Sequence, residues 1–111
     1  MTSSLAHKSC VPCKGIGKTL EPQEIHEYLS QVPAWEVGDD ENTIITRKWK
    51  FKDFATSMNF VNAVAKIADE QDHHPDIRIN YNRVTLELTT HVLGGLTEND
   101  FVMAAKIDEI D

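Results

Sequence analysis

Three histidines and the acids around them are the residues of this 111-residue chain best suited to chemistry. His73 and His74 are adjacent in the string DEQDHHP, behind Asp69 and Asp72 and ahead of Pro75; His91 and Asp100 follow. Imidazole titrates near neutral pH, and a neighbouring carboxylate fixes its tautomer and strengthens it as a base, so this combination suits general acid and base catalysis. Acyl and phosphoryl transfer lack their parts: there is no G-x-S-x-G, no phosphate-cradling glycine loop, and no cysteine beyond Cys13. Zinc is the weaker reading, because adjacent histidines on an extended chain point in different directions, whereas metal-binding pairs favour helical i, i+4 spacing. Plainer readings exist for each residue. The three histidines also fit polar strand ends, and Asp100 completes a capping box with Thr97. Asp69 and Asp72 fit a polar helix terminus, although acids there oppose the helix dipole. His7 and His26 read as solvent-exposed.

The elements that must position these residues follow from periodicity. Glu21-Pro22 opens a short helix with Ile25, Leu29 and Val32 on one side, and Pro33 stops it. Trp35–Val37 and Thr43–Phe51 read as strands of a hairpin, the second with a possible open edge. Asp53 caps a main helix running to about Glu70, with Phe54, Met58, Val61, Ala65 and Ala68 inward and Asn59, Asn62 and Lys66 outward. Ile77, Ile79, Tyr81 and then Val84, Leu86, Leu88 alternate with polar residues, which predicts two half-buried strands joined at Asn82-Arg83. A tight loop there pairs Ile79 with Leu86, Arg78 with Glu87 and Ile77 with Leu88. Extended, the same register sets His74 opposite His91, with Cβ atoms roughly 4.5–5.5 Å apart. A last helix, Phe101 to Ile110, has apolar residues on more than one face, which predicts a second buried face in a homodimer or homotetramer.

With 41% hydrophobic residues the chain suffices for one core, and a net charge of −7 argues against a nucleic-acid or anionic-membrane surface. Met1 to Leu20 holds Lys8, Lys14 and Lys18 and no acid, which sets a boundary near residue 20. Residues 1–19 read as a flexible leader containing nothing of the core, and 20–111 as the folded domain. In the leader His7, Cys10 and Cys13 form H-x2-C-x2-C, a zinc-like spacing without a local fourth ligand. No run of 18 apolar residues and no signal-peptide core occurs, so a cytoplasmic protein with reduced thiols is expected.

The pattern D-x3-H-H-P-x5-Y-x9-H-x8-D, here Asp69, His73, His74, Pro75, Tyr81, His91 and Asp100, resembles the signature of the pterin-4a-carbinolamine dehydratases. The segments FKDFATSMNFVNAVAKIADEQDHHP, YNRVTLELTTH and GGLTENDFVMAAKID are similar to the same family, from about residue 20 to the end. The resemblance implies an α+β domain: a four-stranded antiparallel sheet with helices on one face, in the order α-β-β-α-β-β-α that the periodicity also gives. It implies removal of water from 4a-hydroxytetrahydropterin, the product of aromatic amino acid hydroxylases, to give quinonoid dihydropterin in tetrahydrobiopterin recycling, with no metal or redox cofactor. It implies that His73, His74 and His91 are catalytic, that Asp69, Asp72 and Asp100 support them or bind the pterin, and that Thr90 lines the pocket through its backbone. Relatives of the family also serve as dimerisation or assembly factors, so a second binding role stands beside the enzymatic one.

Overall fold

Asp53 starts the longest helix, α2 (Phe54–Gln71), by accepting the Thr56 amide on its side chain at 2.8 Å. The Thr56 hydroxyl and amide together hold the Asp53 carboxyl below its usual range. The computed structural model describes residues 4–11 and 17–110; its other α-helices are α1 (Pro22–Leu29) and α3 (Glu98–Asp108), and α3 packs against both α1 and α2. Strands β1 (Glu36–Val37), β2 (Ile45–Lys50), β3 (Asp76–Asn80) and β4 (Arg83–Leu88) form one antiparallel sheet in the order β1-β2-β4-β3. The α+β class and the element order are those expected. Among the described residues no helix is long and apolar enough to cross a membrane.

Packing corrects the inward face of α2. Its buried residues are Ser57, Phe60, Val61, Val64 and Ala68, while Phe54 is 49% exposed and Ala65 is exposed. Phe60 decides the phase: its ring meets Trp49 and Phe51 of the sheet at 4.8 and 5.2 Å, an aromatic cluster that outweighs burial of Phe54 and alanine. Asn59, Asn62 and Lys66 are exposed, as expected. Strand β2 also differs from its expected place. It lies between β1 and β4, so the sheet's outer strands are β1 and β3.

The β3–β4 register is two residues from that expected. Ile79 pairs with Val84 and Ile77 with Leu86, and the loop is Tyr81-Asn82, with Tyr81 at φ +54°. The cause lies just past the end of β2. Asn82 binds the backbone of Phe51 twice, its Nδ2 donating to the Phe51 carbonyl at 3.0 Å and its own carbonyl accepting the Phe51 amide at 2.8 Å. With Asn82 held in the loop, Arg83 becomes the first residue of β4. A two-residue slip preserves the faces. Arg78 therefore stays off the core face and still reaches Glu87 diagonally, at 3.0 Å, although its direct partner is Thr85.

Helix α3 is covered on its second face by its own chain. Phe101 to Ala105 and Ile107 are almost wholly buried, and part of their cover comes from a 3₁₀ turn at Ser4–His7. Leu5 is 2% and Ala6 8% exposed, both within the core cluster. Lys106 Nζ donates to the Ala6 carbonyl at 2.9 Å, and Lys8 pairs with Glu98 at 3.0 Å. The Tyr28 hydroxyl also donates to Glu98; burial, then that contact, pushes the tyrosine pKa up to about 12. The expectation that nothing before residue 20 belongs to the core therefore fails, and so does the inference of an oligomer from α3. The lysines made the segment look like a solvated tail, but Leu5 is a core residue on a short local turn. Replacing it tests this directly. Leu5→Ala should destabilise the protein by about 2–5 kcal/mol, the range for a buried leucine, read as a lower denaturant midpoint with unchanged slope.

Candidate active site

The end of α2 sorts the two adjacent histidines. Asp72 closes the helix in the left-handed region (φ 52°, ψ 43°), its amide donating to the Ala68 carbonyl. Aspartate tolerates this conformation better than most residues, which accounts for an acid at the unfavourable end of the dipole. Its side chain is exposed, and its backbone supplies the turn. The turn sends His73 inward, to 6% exposure, and leaves His74 at the surface.

His73 Nε2 donates to Asp100 Oδ1 at 2.7 Å, and Asp100 is fully buried in the first turn of α3. The other carboxylate oxygen accepts the Thr97 amide and the Thr90 hydroxyl, each at 3.0 Å. One set of proton positions satisfies every partner when Asp100 is ionised. The Thr97 hydroxyl accepts the Asp100 amide in the capping box, so its own proton goes to Thr90 Oγ1, 2.8 Å away, and the Thr90 proton goes to the carboxylate. Asp100 thus serves the cap and the histidine at once. Thr90 is held through both its backbone and its side chain. Its amide donates to the Gly95 carbonyl and its carbonyl accepts the Leu93 and Gly94 amides, so its backbone is engaged in the following turn and its side chain in the network. Among the described residues no buried side-chain polar atom lacks a partner.

The two exposed histidines have their own acids. His74 Nε2 lies 3.0 Å from Asp69 Oδ1, and His91 Nε2 lies 4.0 Å from Asp76 Oδ1. His91 does not face His74 across the ladder as expected. The β3–β4 pairing ends at Asp76 and Glu87, Thr90 bridges to Gly95, and His91 opens a 3₁₀ turn, His91–Leu93. The ladder is broken at Thr89-Thr90, and the break redirects the chain. It places His91 beside the start of β3, which is how Asp76 comes near it. Asp76 and Thr97 are the site residues that periodicity missed, one read only as an outward strand residue and the other only as a cap. Of the leader's cysteine motif, Cys13 lies outside the described residues. Cys10 packs against α3, its thiol donating to the Asn99 carbonyl at 3.7 Å.

A one-sided antiparallel sheet carrying paired imidazoles and carboxylates at its helix-to-strand corner defines a small α+β protein of the pterin dehydratase fold. The sequence matches the model of the family described as pterin 4 alpha carbinolamine dehydratase over residues 18–110, and the chain belongs to that family. A Legionella pneumophila (strain Corby) relative, which bears the provisional name of pterin-4-alpha-carbinolamine dehydratase, is 48% identical over 99% of this chain and 97% of its own. A similarly named Rubrobacter xylanophilus relative is 44% identical over 97% of this chain and 99% of its own. These matches span the leader as well, so the likeness extends further towards the N-terminus than the motif segments alone. The crystal structure of a transcriptional coactivator/pterin dehydratase from Brucella melitensis superposes with a TM-score of 0.77 at 40% identity, covering 82% of this chain and 96% of that one. A pterin dehydratase-like protein identified as a RuBisCO assembly factor in the alpha-carboxysome shares the fold, with a TM-score of 0.57 at 22% identity over 68% of this chain and 86% of that one.

Proposed function

We propose that this protein dehydrates 4a-hydroxytetrahydropterin to quinonoid dihydropterin by histidine general acid and base catalysis, recycling tetrahydrobiopterin behind an aromatic amino acid hydroxylase. The reaction delivers a proton to the leaving 4a-hydroxyl, breaks the C4a–O bond to release water, and removes a proton from a ring nitrogen. The reaction needs one group to give a proton and one to take it, and His74 and His91 are the exposed imidazoles at this corner. His73 is buried, and Asp100 fixes its tautomer, so it orients the corner from behind. The observation on which the reading rests is this division: one buried histidine held by a buried carboxylate, and two exposed histidines each near an acid.

The test is a carbinolamine dehydration assay on purified protein, followed by pterin absorbance with and without a chelator. Turnover that survives chelation is expected, since both proton transfers use side chains of this chain. Absence of any acceleration over the uncatalysed reaction would sink the enzymatic reading and move a binding role ahead. The same reading extends to a cytoplasmic homo-oligomer. Its remaining support is the unpaired outer side of β3, and sedimentation at micromolar concentration showing monomer alone would overturn it.

A further inference from the structure

The sheet face turned away from the helices carries charge in an ordered way. Register defines three rows across it: Glu36, Thr46, Glu87 and Asp76; then Lys48, Thr85 and Arg78; then Lys50, Arg83 and Asn80. Acids stand at one end and bases at the other, four residues or about 13 Å along the strands. Arg78 is neutralised by both oxygens of Glu87, at 3.0 and 3.3 Å. Lys48, Lys50 and Arg83 form no ion pair among the described residues, and Lys50 and Arg83 are direct cross-strand partners. Like charges directly opposed destabilise a sheet, and a chain with 18 acids to 11 bases had ample means to avoid the pairing. Stability therefore gives no reason for this cluster. Its residues also share a shape: Lys48, Trp49, Lys50, Asn80, Arg83 and Thr85 line one cleft of about 400 Å³.

We propose that this cleft binds a compact phosphate-bearing anion, at a site separate from the histidines. Two ammonium groups, a guanidinium fork, a hydroxyl and an amide supply the donors that phosphate oxygens accept. The volume falls in the small-molecule range. Compactness follows from the opposite end of the same face. Glu36 and Asp76, which Arg78 does not neutralise, repel any polyanion long enough to run down the strands, which disfavours nucleic acid and an extended acidic chain.

The probe is inorganic pyrophosphate, titrated into the full chain at low ionic strength and followed by amide chemical shifts, with citrate as a carboxylate comparison. Shifts centred on Lys48–Lys50 and Asn80–Thr85 are expected, with affinity falling at least about tenfold in Lys50→Thr/Arg83→Thr and unchanged in Lys66→Thr, an exposed lysine on α2. Because both replaced side chains are exposed and mutually repulsive, the ligand-free double variant should melt no lower than wild type, which keeps misfolding from imitating loss of binding. No binding at millimolar pyrophosphate, an unchanged affinity in the double variant, an equal loss in Lys66→Thr, or citrate binding as tightly would each overturn the site. So would loss of self-association in the double variant without pyrophosphate binding, which would assign the cations to a subunit contact.

Discussion

His74→Ala and His91→Ala should each lower the dehydration rate by about 10²–10⁴-fold, the usual cost of removing a positioned general acid or base, while the protein stays folded. Both side chains are more than half exposed, and neither contributes to the core cluster, so truncation removes few native contacts. The double variant should lose less than the product of the separate losses, because groups that share one proton-transfer cycle do not act additively. The acids divide the pair further. Asp69 lies at hydrogen-bond distance from His74, whereas Asp76 lies at 4.0 Å from His91, so Asp69→Asn should impair turnover more than Asp76→Asn. Stopped-flow measurement of kcat and KM on the five variants decides the matter. A His91→Ala protein with near-normal turnover would remove the exposed pair from catalysis and leave His91 as a surface residue.

The sequence was most informative where one local rule governs the outcome, and least where several elements compete. Capping shows this well: Asp53 and the Thr97/Asp100 box are visible as residue types at fixed spacing, and both caps form. The β3–β4 register looked equally local, but it is set by Phe51, just past the end of β2, binding Asn82, a contact no hairpin rule contains. The α2 face failed for a related reason. Counting apolar positions gives Phe54 and Phe60 equal standing, and only the position of Trp49 and Phe51 across the interface distinguishes them. Leu5 was hidden by its lysine-bearing neighbourhood, since a four-residue 3₁₀ turn has no periodicity to detect. At the site, residue types named the histidines, and the fold alone separated the buried one from the exposed pair. The αL turn at Asp72 makes that separation, and adjacent sequence positions gave no sign of it.

Replacing Asp100 should have the largest combined effect on stability and turnover of any single change at the site. In Asp100→Ala the His73 Nε2–H, the Thr90 hydroxyl and the Thr97 amide all lose their acceptor in a buried region. Each unsatisfied buried donor costs about 1–3 kcal/mol, so the sum is a large part of a total stability of roughly 5–15 kcal/mol. That variant should melt far lower than wild type or fail to fold, and it separates poorly between structural and catalytic loss. Asp100→Asn makes the distinction. Its amide oxygen can still accept from Thr97 and Thr90, while its NH₂ group then points at His73, which must present a bare Nε2 and move its proton to Nδ1. The fold should survive with a modest loss of melting temperature, and turnover should fall by less than the roughly 10²–10⁴-fold expected for the exposed pair, because His73 positions the corner and transfers no proton itself. Nitrogen-15 imidazole shifts read the tautomer directly. A tautomer change accompanied by lost turnover assigns Asp100 to orienting His73. The changed tautomer with full turnover would confine the His73–Asp100 bond to holding the helix end.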